Sequence, residues 1–215
     1  MTPSSTPPPT PSPYDMVSGT APGLPPLMPG RLVLNGENPF IRLAETEGAP
    51  FSTDASLWTI NWSPQGAGRA LFIQSELTQG RWRIYSDNAP MVRWLQTTVQ
   101  GMLNPTTADS AIAIVRASFT QEGNLQSRWT QSVHAEGDEI VLSWSDLLPP
   151  LTMAHPQPSQ PPDRHYGANV VMIPARRAEL TMNGRTAAGQ PWPCRYDGQP
   201  FSTAALAFSE SWREA

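Results

Sequence analysis

Glu210 lies in the run TAALAFSESW (203–212), two residues after Phe208 and two before Trp212. In an extended chain, residues two apart share a face, so the spacing predicts a carboxyl group set between two aromatic rings. Burial there raises a carboxyl pKa towards neutrality, the range in which a side chain can give and take protons. A buried carboxylate also needs a partner, and arginine is the natural one. Arg116, which shares a face with Ile112 and Ile114, and Arg83, two residues before Tyr85, are the candidates. Either would complete a polar floor in an aromatic pocket, with Trp129 and Gln131 on one face of a neighbouring strand. Trp58, Ile60 and Trp62 form the corresponding apolar face of another strand. Such a pocket suits a mostly apolar or amphipathic small molecule with one polar handle.

The remaining reactive residues are weaker candidates. His134 ends a strand beside a turn, and His155 lies in a proline-rich stretch. His165, in DRHYG (163–167), sits where that stretch rejoins the strands and is the histidine best placed to join the pocket. The three histidines lack H-x-H or H-x-x-x-H spacing, and Cys194 is the single cysteine. No metal site and no intrachain disulfide are therefore expected. SPQGAGRA (63–70) is glycine-rich but lacks the Gly-Lys-Ser/Thr ending of a phosphate-cradling loop, so no nucleotide cofactor is expected. No G-x-S-x-G nucleophile elbow occurs.

The elements that must position these residues are mostly strands. SLWTINWS (56–63), GRALFIQSE (68–76) and GRWRIYSD (80–87) are rich in aromatic and β-branched residues and are divided by turn sequences. Segments 110–123, 124–134 and 138–146 read as a meander with turns at QEGN and AEGD, followed by strands over 168–173, 177–184 and 203–212. One segment departs from this period. NAPMVRWLQTTVQGMLNP (88–105) puts Met91, Trp94, Leu95, Val99, Met102 and Leu103 on one face at helical spacing, predicting a helix over about 90–103. Asn38-Pro39 could open a second short helix. The class expected is mainly β: an antiparallel barrel or two-sheet sandwich, calycin-like or lipocalin-like by analogy. The amphipathic helix would pack on a face or plug an end.

The chain also repeats a phrase. GAPFSTDASLW (48–58) is echoed by GQPFSTAALAF (198–208), and LVLNG (32–36) by LTMNG (180–184). Setting Phe51 on Phe201 places Trp58 on Phe208, Ile60 on Glu210 and Trp62 on Trp212. This ordered series predicts an internal structural repeat at the two ends of the chain.

Residues 1–30 hold ten of the 25 prolines with almost no charge, and read as a disordered Pro-rich tail. Residues 31–215 read as a single β-rich domain carrying a Pro-rich excursion at 148–166. All 14 basic residues are arginine against 18 acidic ones, giving a formal net charge of −4. That balance argues against nucleic acid as a partner. No apolar run is long enough for a membrane span and no signal peptide is evident, so a cytoplasmic location is expected. Three functions fit these observations. The first is small-molecule binding in an aromatic-lined barrel. The second is a cofactor-free isomerase, hydratase or cyclase using Glu210 as general acid or base. The third is a structural or interaction module.

Overall fold

The computed structural model describes residues 12–15, 31–155 and 166–214. Strands β1 (Arg31–Glu37), β2 (Phe40–Leu43), β3 (Thr53–Trp62), β4 (Gly68–Ser75) and β5 (Arg83–Ser86) come first. A bent helix follows, made of α1 (Ala89–Thr97) and α2 (Val99–Leu103). Then come the meander β6 (Ile114–Asn124), β7 (Arg128–Ala135) and β8 (Asp138–Leu147), and the strands β9 (Leu151–His155) and β10 (Gly167–Met182). The described chain ends with β11 (Arg185–Thr186), the hairpin of β12 (Pro193–Tyr196) and β13 (Gln199–Ser202), and β14 (Ala204–Glu214).

These strands close into a nine-stranded mixed barrel. β2 to β8 neighbour one another in chain order, β8 pairs with β10, β10 with β14, and β14 returns to β2. β1 occupies the same slot as β2, between β14 and β3. The two are one strand interrupted at Asn38-Pro39, where proline removes a ladder donor. That dipeptide therefore breaks a strand, and the short helix expected there does not form. The barrel is not purely antiparallel: β5 and β6 pair in parallel. A parallel pair needs a crossover connection, and the bent helix supplies it.

The helix begins as the sequence predicts. The Asn88 side chain accepts from the Met91 amide, and Pro90 stands in the first turn, where no amide donor is needed. It bends at Thr98, whose φ of −116° and ψ of −103° are not helical. Met91, Val92, Leu95 and Val99 pack with Trp58, Phe72 and Ile84, covering the outside of the barrel wall. Gln100 fastens α2 to that wall by accepting from the Trp58 indole at 2.7 Å.

The barrel interior is a second core, with Leu57, Leu71, Ile73, Ile140, Leu142 and Trp144 fully buried. The Trp144 indole donates to the Phe40 carbonyl at 3.0 Å, joining strands 104 residues apart. A third core lies beneath the β12–β13 hairpin around Phe201, Cys194, Phe40 and Val170.

Two expected strands, 168–173 and 177–184, are one long strand, β10, with Pro174 at the changeover from β9 to β8 as neighbour. β9 itself falls inside the segment read as an excursion, and residues 156–165 lie outside the described residues. Of the segment read as a tail, residues 12–15 are described and do dock. Tyr14 stacks on Phe51 with ring centres 5.4 Å apart and donates to the Ala49 carbonyl at 3.2 Å. Residues 1–11 and 16–30 lie outside the described residues.

Candidate functional site

Glu210 is buried, 3% exposed, but the pocket drawn around it from the sequence does not form. Asn169 opposes Ser211 and Val171 opposes Phe208, so Ser209 and Glu210 together face one residue of β10. This is a β-bulge, with Ser209 in the left-handed region at φ 51°. The extra residue breaks the period of two. Phe208 points into the barrel, edge-on to Trp129 at 5.9 Å, whereas Trp212 joins the helix-side core. Glu210 follows Trp212: its Oε1 accepts from the Trp212 indole at 2.5 Å, and its Oε2 has no partner among the described residues. Burial pushes the carboxyl up to about 8, only partly offset by the Trp212 hydrogen bond. The group is thus held mainly as the neutral acid at pH 7.

Neither expected arginine meets it. Arg83 donates to Asp138 at 3.3 Å in a cluster at one end of the barrel. Tyr85, reaching in from the wall, donates to the same carboxylate at 2.7 Å, and Asn183 donates to its other oxygen at 3.3 Å. Burial is the main cause that pushes the Tyr85 phenol up to about 12, so it remains a donor. Arg83 and Tyr85 are therefore both engaged with Asp138. Arg116 is exposed on the outer wall, beside an open depression of about 710 Å³ shared with Arg69, Asp87, His134 and Glu136. Trp58 is on the outer wall under the helix. His165 lies outside the described residues.

The opposite end of the barrel gathers a different set. Directly opposed residues share a face. Trp62 opposes Asn35, Asn35 opposes Ser211, and Ser211 opposes Asn169, giving one row across β3, β1, β14 and β10. A second irregularity, between Asn35 and Gly36, separates Trp62 from the face of Ile60, which opposes Gly36. The row lies on the inward face, because Asn169 is two residues from Val171 and Val171 opposes the inward-pointing Phe208. Trp62 is 47% exposed. One step further in are Glu37, Thr59 and Arg69, also in register. The Arg69 guanidinium donates to the Phe119 carbonyl at 2.7 Å, bridging from β4 to β6. Burial raises the Glu37 carboxyl, and the Arg69 charge opposes that shift.

Below this rim lie Trp129 and Gln131, both inward, opposing Trp144 and Leu142. Among the described residues, three side-chain atoms on the inward face towards this end are buried without a partner: Trp129 Nε1, Gln131 Nε2 and Asn169 Oδ1. Gln131 is 4% exposed. A buried polar atom without a partner costs roughly 1–3 kcal/mol, and such atoms in a folded protein call for an explanation.

A separate groove of about 550 Å³ outside the barrel is lined by Leu148, Cys194, Phe201 and Arg195 among others. Two of its polar groups are already engaged: Arg176 with Asp146, and Arg195 with the Gly198 carbonyl. Burial pushes the Cys194 thiol up to about 12, so it is not a reactive thiolate. Trp129, Gln131 and Phe208 were recognisable in the sequence. Asn169, Asn35, Ser211, Glu37 and Arg69 were not, although an asparagine inside the apolar run ANVVMI is a visible signal.

Comparison with protein-family models, with curated proteins and with solved structures finds no match. The class its fold defines is a closed mixed β-barrel with one bent helix. Among the described residues no helix is long and apolar enough to cross a membrane.

Proposed function

We propose that the protein binds a small, mostly apolar molecule at the open end of its barrel, in a lipocalin-like use of the fold. The observation that carries this reading is the set of three buried polar atoms, unpartnered among the described residues, on the inward face that also holds the Trp129–Phe208 aromatic pair. Apolar walls with a few convergent polar groups are the usual composition of a ligand site. The polar handle is Gln131 and Asn169, in place of the Glu210–Arg pair expected from the sequence. Glu210 is on the other face of its strand, beneath the helix-side core, so the catalytic alternative gains no geometry from this site.

We also read β3 and β14 as the two copies of an internal repeat. Both flank the β1–β2 slot, and Gly36 has Ile60 on one side and Glu210, 150 residues later, on the other. The likeness is limited to these strands: Asn35-Gly36 lies within β1, whereas Asn183-Gly184 is a turn with both residues at positive φ.

The test of the binding reading is a titration with Nile red, an uncharged apolar dye whose emission shifts to the blue in apolar surroundings. The wild type is expected to bind it. Trp129→Phe and Gln131→Leu are each expected to weaken binding at least tenfold while leaving the melting temperature unchanged or higher, because each removes an unpartnered donor. Equal binding by wild type and both variants would refute the site.

A further inference from the structure

The arrangement of donors and acceptors at the open end specifies a ligand class, an inference that rests on the binding reading above. Trp129 Nε1 and Gln131 Nε2 are donors and ask for an acceptor. They are two residues apart on β7 and so project from the same face. Asn169 Oδ1 is an acceptor and asks for an N–H or O–H. It is two residues along β10 from Val171, the residue opposed to Phe208, a rise of about 7 Å. The Phe208 ring packs edge-on against Trp129.

Charge adds a second restriction. Glu37 and Arg69 flank Thr59 in one row, and the Arg69 charge acts on the Glu37 carboxyl. The Arg69 guanidinium is also held by the Phe119 carbonyl. The row therefore carries one group of each sign and favours neither an anion nor a cation. A carboxylate would present acceptors to Trp129 and Gln131 but has no proton for Asn169. An ammonium would present donors only.

We infer that the open end takes an uncharged flat molecule, one to two rings long, carrying a carbonyl-type acceptor and an N–H or O–H donor: an amide, lactam or neutral hydroxylated ring. The exposed face of Trp62, in line with the Asn35 amide and the Ser211 hydroxyl, provides a stacking surface for such a ring at the rim.

The experiment is competition against Nile red by naphthalene-2-carboxamide and naphthalene-2-carboxylate at pH 7.5. These probes share one ring system and differ in charge and in the donor. Nile red has no N–H or O–H, so its own binding does not draw on Asn169. The carboxamide is expected to displace the dye at a concentration at least tenfold below that of the carboxylate. Asn169→Val is expected to retain dye binding and to reduce that preference to threefold or less. If Nile red binds and is lost in Trp129→Phe, but the two naphthalenes compete equally or the carboxylate competes better, the ligand class is wrong and the site stands. A preference that survives intact in Asn169→Val also overturns the class. If Nile red fails to bind, or binds regardless of Trp129 and Gln131, the site itself is wrong and the class falls with it.

Discussion

Replacing Glu210 by glutamine is expected to leave stability at pH 5 nearly unchanged and to raise it by about 2–5 kcal/mol at pH 9. The carboxyl titrates near its ordinary 4.5 in the unfolded chain and is pushed up to about 8 in the folded one. Between those values the folded protein holds a proton that the unfolded chain has released. The stability this group contributes is therefore complete below 4.5 and is lost as pH rises through about 8. Glutamine keeps an oxygen for the Trp212 indole and carries no charge at any pH, so the variant escapes this loss. Chemical denaturation at pH 5, 7 and 9 checks the prediction. A wild type and variant that differ by the same amount at all three values would mean that Glu210 is solvated or paired in the folded protein.

The second large effect is expected at Trp144. Its ring is fully buried in the barrel interior and its indole N–H reaches across to the Phe40 carbonyl. Trp144→Ala removes the ring and leaves a cavity, which costs about 3–5 kcal/mol for a buried aromatic residue. For a domain of this size the melting temperature should fall by about 10 °C. Trp144→Phe keeps most of the packing and leaves the Phe40 carbonyl without its donor, at a cost of about 1–3 kcal/mol. A loss below 1 kcal/mol in Trp144→Ala would show that the interior is not packed around this residue.

Local sequence pattern carried the strands well, because most of them alternate in and out and are divided by recognisable turns. It also placed the helix, through the Asn88 cap, Pro90 and the apolar spacing of Met91, Leu95 and Val99. What it could not carry was the face on which each residue of an irregular strand lies. The bulge at Ser209 reversed Glu210 and Trp212 relative to Phe208, and serine is not a residue that announces a positive φ. The irregularity opposite Asn35-Gly36 likewise separated Trp62 from Trp58 and Ile60. β7 is regular throughout its pairing with β8, and there the faces of Trp129 and Gln131 were legible. The parallel pairing of β5 with β6 was hidden for a different reason: pattern within a strand is silent about the direction of its neighbour. Arg69 reaching Phe119, fifty residues away, has no local signature at all.

The central claim is that the open end of the barrel holds a ligand against Trp129. The most direct measurement follows the indole N–H resonances in ¹⁵N-labelled protein during titration with naphthalene-2-carboxamide, with each signal assigned by Trp→Phe substitution. There are 8 tryptophans. Trp58, Trp144 and Trp212 donate within the protein to Gln100, Phe40 and Glu210. The Trp129 donor has no partner among the described residues. The Trp129 resonance is expected to move downfield as its N–H gains an acceptor, with a smaller shift at Trp62 from ring stacking, while those of Trp58 and Trp144 stay in place. A Trp129 signal that does not move while the protein binds the compound would contradict the account.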